Sequence, residues 1–435
     1  MPNARHRSRS ELPPTPVELA YPLAVPDAAV LGAVILHEAP EAFALHLFRA
    51  LRLVLAWAAG PDVSGAMFDG EDLDGWEHDV LCAGGIDEAL WAPVAVIASE
   101  VARPAEVDPE RLAHACLAVT DWALECDAHG TAILFAEAAA AVWPTNARIA
   151  WVVGKLHRER MHFGRAESWL RRAGRVAAWT GDWELQAQAV NSLGNLKVHL
   201  GDFAGGRELL LKAARVAKRK RLRERLAKAL HDLFVVSTYA GRFDEAEGHA
   251  RDAFSAYGPD HPDLINLAFD VSHFWKQQGQ FARALAVLKA LSGRFPDADR
   301  QLRVLASTAR AAGVMGQSDT FHRAWSDAWK LIDAGTADHL RAAASLELGL
   351  GALSLGLWEH AEHALTTARD AAQERRQGDT LAEAEASLNH LSRRHALGKS
   401  LHLRTALRVR DLAAELARSL NAQAPAPAGA NARDN

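Results

Sequence analysis

The feature that most restricts how this chain can fold is a six-point pattern of small and aromatic residues that returns about every forty positions. The two clearest copies are LGNLKVHLGDFAGGRELLLKAARVA, from Leu193, and LGLGALSLGLWEHAEHALTTARDAA, from Leu348, which align without a gap. In each, a glycine (Gly194, Gly349) is followed after seven residues by a second (Gly201, Gly356) and then by an aromatic (Phe203, Trp358). A small residue (Gly206, Ala361), a leucine (Leu210, Leu365) and an alanine (Ala213, Ala368) complete the pattern. The same ruler fits Gly154, Met161, Phe163, Ala166, Leu170, Ala173, and again Phe234, Gly241, Phe243, Ala246, Ala250, Ala253. It also fits Ser272, Gly279, Phe281, Ala284, Leu288, Leu291, and Ala309, Gly316, Ser318, Phe321, Trp325, Ala328. The ring positions 163, 203, 243, 281, 318 and 358 lie 40, 40, 38, 37 and 40 residues apart. A fixed period of this kind marks an array of supersecondary units, none of which can bury its apolar face alone. A chain of 435 residues can then fold without dividing into several compact cores.

Physical chemistry explains the pattern. The second glycine allows a tight reversal, and small residues such as Ala166, Ala246 and Ala284 let two helices approach closely. The ring after the turn is expected to fill the gap beside it. Between the chain ends the apolar residues follow a helical period, and no segment alternates with the period of a strand. This grammar resembles the tetratricopeptide repeat. The resemblance covers about Ala147 to Gln377, with a partial unit before it (Ala132, Ala136, Ala139 and a closing Pro144). Degenerate units follow through Leu381–Leu391 and Leu401–Leu420. The period exceeds the 34 residues of the standard unit and looks like that of the longer units in bacterial regulator and adaptor solenoids. The resemblance implies an all-α, right-handed superhelical solenoid of antiparallel helix pairs over residues 111–420. The chain departs from the pattern in the missing glycine at Met161, the Ser318/Phe321 exchange and sparse closing prolines.

Outside the array, residues 1–26 hold six prolines and are expected to be extended or disordered. Residues 27–110 form an N-terminal helical region of unassigned role. It comprises a helix from Asp27 to about Glu38, another from Pro40 to about Ala59 stopped by Gly60-Pro61, and a Gly- and Asp-rich loop from Asp62 to Asp79. Helical patterns resume at about Asp87, and Asp108-Pro109-Glu110 opens a helix reaching about Ala128. Residues 421–435 read as a disordered, low-complexity tail. The most apolar stretch, Val30 to Ala59, is interrupted by Glu38, Pro40, Glu41, Arg49 and Arg52, so no membrane span is expected. The basic, proline-rich start lacks the apolar core of a signal peptide. Three cysteines, Cys82, Cys116 and Cys126, fit a reducing compartment. Together these features predict a cytoplasmic protein, bacterial in its Ala-, Arg- and Trp-rich style.

Catalytic grammar is missing from the sequence: there is no GxxxxGK[ST], no GxGxxG after a strand and no GxSxG. His157 and His162 are five apart, the wrong spacing for a shared helix face, and no HExxH lies between them. The acidic run from Asp69 to Gly75 fails the calcium-loop alternation at Leu73. An active site would have to draw on Asp69, Asp72, Asp74 and Asp79, acids with no partnering base or nucleophile. Neither an enzyme, a cofactor nor a metal is therefore expected.

What the resemblance implies instead is a protein–protein interaction adaptor or scaffold that binds along the first helix of each unit. Placed on that pattern, the inward residues are Arg148, Trp151, Lys155 and Arg158, then Gln188, Asn191, Asn195 and His199. Next come Lys228, His231 and Tyr239, then Asn266, His273 and Lys276, and finally Arg303 and Arg310. Donors dominate, which suits an extended, carboxylate-bearing peptide or protein segment. In the last unit Ala343, Leu346, Leu350 and Leu353 suggest packing against a C-terminal helix. The formal net charge of −5 gives no basic field over the whole surface, which argues against nucleic acid as a general partner. One local exception is Arg215 to Lys228, with eight basic residues and one acid. That junction is the basis of an alternative role, as a nucleic-acid-associated regulatory subunit. No aromatic is interleaved within it.

Overall fold

The computed structural model describes residues 32–60, 72–83, 87–392 and 412–423. The proline-rich stretch 1–26, Asp27, residues 61–71, Leu401 to Asp411 and the tail beyond Gln423 lie outside the described residues. The described residues hold α-helices, one 3₁₀ turn (Asp338–Leu340) and no strand. The chain parts into two compact units, residues 1–229 and 230–435, each treated separately below.

Unit 1 opens with α1 (Ile35–Glu38), α2 (Glu41–Ala59), α3 (Leu73–Cys82), α4 (Glu88–Val101), α5 (Pro109–Glu125) and α6 (His129–Val142). The chain from Leu73 to Cys82, expected to be mostly loop, is helical because Asp72 caps it, accepting from the Gly75 N–H at 2.7 Å. Asp87 and Asp108 cap α4 and α5 in the same way. Glu38 reaches across to the start of α6, where it accepts from the N–H groups of Gly130 (3.1 Å) and Thr131 (2.7 Å). Phe43, Leu47, Leu51, Trp76, Leu90, Ile97, Cys116 and Phe135 fuse these helices into one core. Burial pushes the Cys116 thiol up to about 12, so it stays protonated and inert. Against expectation, α2 is long and apolar enough by length and composition to cross a membrane; half of its most apolar window is buried in the unit.

The repeats follow as helix pairs: α7 (Ala147–Glu159) with α8 (Phe163–Thr180), and α9 (Trp183–His199) with α10 (Phe203–Lys220). The boundary between the units falls inside α11 (Arg223–Tyr239). Unit 2 continues with α12 (Phe243–Tyr257), α13 (Leu264–Gln277), α14 (Phe281–Leu291), α15 (Ala298–Val314) and α16 (Ser318–Asp333). It ends with α17 (Arg341–Leu355), α18 (Trp358–Glu374), α19 (Gly378–Ser392) and α20 (Leu412–Ala422). This is a tetratricopeptide-like helical repeat.

The ruler residues act as the pattern requires at two points. Gly201 and Gly356 turn the chain at φ +82° and +74°, and Met161 adopts the same left-handed region at +59°. A side chain there costs roughly 1–2 kcal/mol, so the missing glycine weakens the turn without abolishing it. The first glycine of the ruler is a contact point. A Cβ on Gly194 would stand 2.7 Å from Leu210 Cγ, and one on Gly349 the same distance from Leu365 Cγ.

The rings behave differently from expectation. Phe203, Phe243 and Trp358 remain 38%, 42% and 43% exposed, so they do not simply fill a gap. Several lean onto the first helix of the next unit: Phe163 on His199 (centroids 5.3 Å apart), Phe243 on Phe274 (6.1 Å), and Phe281 under Arg310 (5.9 Å). In the exchanged unit the ring has moved one turn along the helix, and Phe321 is fully buried.

At the C-terminus, α17 packs against α15, α18 and α19. Helix α20 instead returns to α14, burying Leu412, Ala413, Leu416 and Leu420. Asn421 and Ala422 therefore belong to a helix rather than a tail. Gln423 is held as well: its carbonyl accepts from Arg294 Nη1 (2.9 Å) and its side chain donates to the Pro259 carbonyl (2.9 Å).

Candidate peptide-binding face

In unit 2 the first helices of successive repeats, α13, α15 and α17, line one cavity together with the end of α11. α15 and α17 approach so closely that a Cβ on Gly351 would lie 2.7 Å from the Ala309 carbonyl oxygen. Only glycine permits that approach. Beside it lies a cavity of about 790 Å³, bounded by α11, Phe243, α13, α15 and α17. Its apolar wall is aromatic: Phe234, Phe243, Phe269 and Phe274, with Phe234 and Phe274 edge to face at 5.6 Å.

Polar groups line the same cavity. Lys276 Nζ donates to Glu347 Oε1 at 2.7 Å and to Ser307 Oγ at 3.2 Å, tying α13 to α17 and α15. Asp270 is likewise satisfied by His231 Nε2 at 2.9 Å. The exposed Arg303 guanidinium also lines the cavity, with no hydrogen bond or ion pair among the described residues. Desolvation, then the nearby Lys276, holds His273 below the usual histidine pKa, although Glu347 and Asp270 pull the other way. The cavity thus offers one cation without an ion pair among the described residues, the Arg303 guanidinium, beside an aromatic wall.

Of the sixteen residues expected on the binding face, four line this cavity: Tyr239, His273, Lys276 and Arg303. His231 stands behind Asp270, Asn266 accepts from Arg300 (3.1 Å), and Arg310 lies over the Phe281 ring. The other nine belong to unit 1. There Trp151 Nε1 donates to Ser192 Oγ (3.0 Å), Lys155 approaches Glu159 (3.9 Å) and Lys228 approaches Glu224 (3.8 Å). His199 abuts Phe163; Arg148 is exposed, and Arg158, Gln188, Asn191 and Asn195 are half-buried.

The sequence reasoning missed the acids of this face. Asp270 falls four residues before Phe274 on α13, and Glu347 four after Ala343 on α17, a helix read as purely apolar. Their spacing could have revealed them, since residues four apart share a helix face. His157 and His162 also meet, although their separation is wrong for one helix face. The chain reverses at Met161, which brings the two Nδ1 atoms to 3.3 Å.

No family model matches the chain, and no curated protein matches it. Solved structures do resemble it at low identity. RapI in its apo form has 11% identity and a TM-score of 0.45, covering 61% of this chain and 99% of its own. BtubC (BKLC) from P. vanneervenii has 16% identity and a TM-score of 0.41, covering 53% and 92%. The Rap conjugation gene regulator of the plasmid pLS20, in complex with the Phr* peptide, has 12% identity and a TM-score of 0.36, covering 80% and 98%. These likenesses are partial, and the repeat assignment rests on the chain's own helix pairs and ruler residues.

Proposed function

We propose that the chain is a cytoplasmic interaction module that binds an extended peptide or protein segment in the unit 2 cavity. The ligand presents an apolar or aromatic side chain to Phe234, Phe243 and Phe274 and a carboxylate to Arg303. The observation that carries this is the contrast between the two cations of the cavity. Lys276 is already neutralised by Glu347, whereas Arg303 is not. A guanidinium pairs with a carboxylate through two parallel hydrogen bonds, giving orientation as well as attraction. About 790 Å³ is within the range of well-formed ligand sites and holds more than one side chain.

The test is a peptide array of ten-residue sequences in which aromatic and acidic positions are permuted, read with the full chain. Peptides joining an aromatic residue to a nearby aspartate should be retained. Arg303→Glu should weaken the best of them by at least about tenfold, as expected for loss of a charge-assisted contact, with the helical circular dichroism unchanged. Binding indifferent to that substitution would remove the proposal.

A further inference from the structure

The junction between α10 and α11 carries cations that differ in whether they have a partner among the described residues. Lys220 lies 3.8 Å above the Trp183 ring, Arg225 pairs with Glu184 at 3.2 Å, and Lys228 approaches Glu224. By contrast Lys212, Arg215, Lys218, Arg219 and Arg221 are all exposed and have no ion pair among the described residues. Cations in a final helical turn are ordinarily explained by the negative end of the helix dipole. That accounts for Lys218 and Arg219, but Lys212 and Arg215 stand eight and five residues before the helix ends at Lys220. Arg221 is out of the ordinary as well. It takes φ +59° at the cap of α10, where the corresponding cap of α8 is Gly181 at +80°. A glycine would make the turn at lower conformational cost and without a charge.

The five cations share one edge. Lys212, Arg215 and Arg219 follow the i, i+3, i+7 spacing of a single helix face and span about 10 Å at the helical rise of about 1.5 Å per residue. The sequence places no aromatic among them, but the fold supplies two. Trp183 sits under Lys220, at the start of α9. Four residues earlier, and so within about 14 Å along the chain, Trp179 is 51% exposed. It has no ring or hydrogen-bond partner among the described residues. Cations without ion pairs, together with an exposed indole four residues from the ring under Lys220, suit a single strand, which presents a phosphate line with bases free to stack.

We propose that this edge of unit 1 binds single-stranded nucleic acid. The phosphates are taken by Lys212, Arg215, Lys218, Arg219 and Arg221, and one base stacks on Trp179. This edge shares no residue with the Arg303 cavity, so either proposal can fail while the other stands.

The experiment is fluorescence anisotropy of a labelled twelve-nucleotide single-stranded oligonucleotide with the full chain, over a salt series. Five phosphate contacts predict a log–log salt slope of about −3.5, or a loss of about a hundredfold between 50 and 200 mM salt. Changing the five cations to glutamine should lower affinity at 50 mM by more than tenfold, and Trp179→Ala should lower it at least about fivefold. Arg303→Glu should leave it unchanged. All six positions are exposed, and circular dichroism verifies the fold of each variant. Absence of binding at 50 mM salt, or equal binding by the glutamine variant, would overturn the proposal. So would polyglutamate binding as tightly as the oligonucleotide with Trp179→Ala neutral, an outcome that assigns the edge to an acidic protein partner.

Discussion

Each unit contains a carboxylate that joins one repeat to the next, and the two are satisfied by different chemistry. In unit 1, Glu137 on α6 is buried and accepts from His157 Nε2 at 2.9 Å and from Trp169 Nε1 at 3.3 Å. With Nε2 carrying its proton toward the carboxylate, His157 Nδ1 is left to accept from His162 Nδ1. In unit 2, Glu247 on α12 accepts two bonds from Arg283, at 2.7 and 3.1 Å, and the guanidinium lies 4.2 Å from the Trp275 ring centroid. The Arg283 bonds hold the Glu247 carboxyl below its usual pKa. The same structural task is thus done once by imidazoles and once by a guanidinium, which keeps its charge at any ordinary pH. A joint made of histidine can respond to pH, whereas one made of arginine cannot until its carboxylate protonates.

The largest effect expected from breaking this comparison is at Arg283, whose side chain is almost fully buried. Arg283→Ala takes both guanidinium bonds from Glu247, leaving it the longer approach of Arg251 (3.9 Å), and uncovers Trp275, at a cost of about 3 kcal/mol, read by denaturant unfolding. Glu137→Ala comes next. It leaves His157 and Trp169 without an acceptor in a closed site, at about 2 kcal/mol. If the two costs came out reversed, the histidine joint would be the stronger. Lys197→Ala removes the half-buried partner of Glu167 at 3.1 Å and should cost below about 1 kcal/mol.

The subtlest readout is pH. Desolvation, then His157, Arg165 and Arg160, lowers the His162 pKa, and Glu137 only partly opposes them. The folded state therefore binds the proton less readily than the unfolded one. Stability from this group is complete above about 6.5 and is lost as pH falls from there through the folded value. For Glu247 the lowered pKa places the loss further down, below the ordinary carboxyl value of 4.5. His162→Gln should flatten the stability profile between pH 7 and 5.5 and leave the acid limb in place. A profile unchanged by that substitution would place the pH response elsewhere.

Much of the architecture was legible in residue types because each ruler position has one local task. Gly201 must turn the chain, Gly194 must admit Leu210, and Asp108 must cap a helix whose first residue is proline. These are short-range requirements, met within one helix pair, so they leave a periodic trace. Other expectations failed where the outcome depends on a neighbouring element. The segment from Leu73 to Cys82 is apolar enough only once Trp76 and Val80 find the unit 1 core. The rings of Phe203 and Trp358 look like core residues until the next unit proves to leave them half-open.

The candidate site shows the same division. Periodicity places Tyr239, His273, Lys276 and Arg303 on inner helix faces, and all four line the cavity. Whether a cation is available or already spent is a different question. Lys276 and Glu347 are 71 residues apart, and the approach of α15 to α17 at Gly313 and Gly351 sets the packing that lets them meet. Trp183 comes to lie under Lys220 only because α9 and α10 pack side by side. The sequence by itself determined helices, turns and repeat period, because those follow from the residues of one unit. Tertiary structure alone decided which charges are neutralised and which rings stay open, because that depends on side chains brought together from different helices.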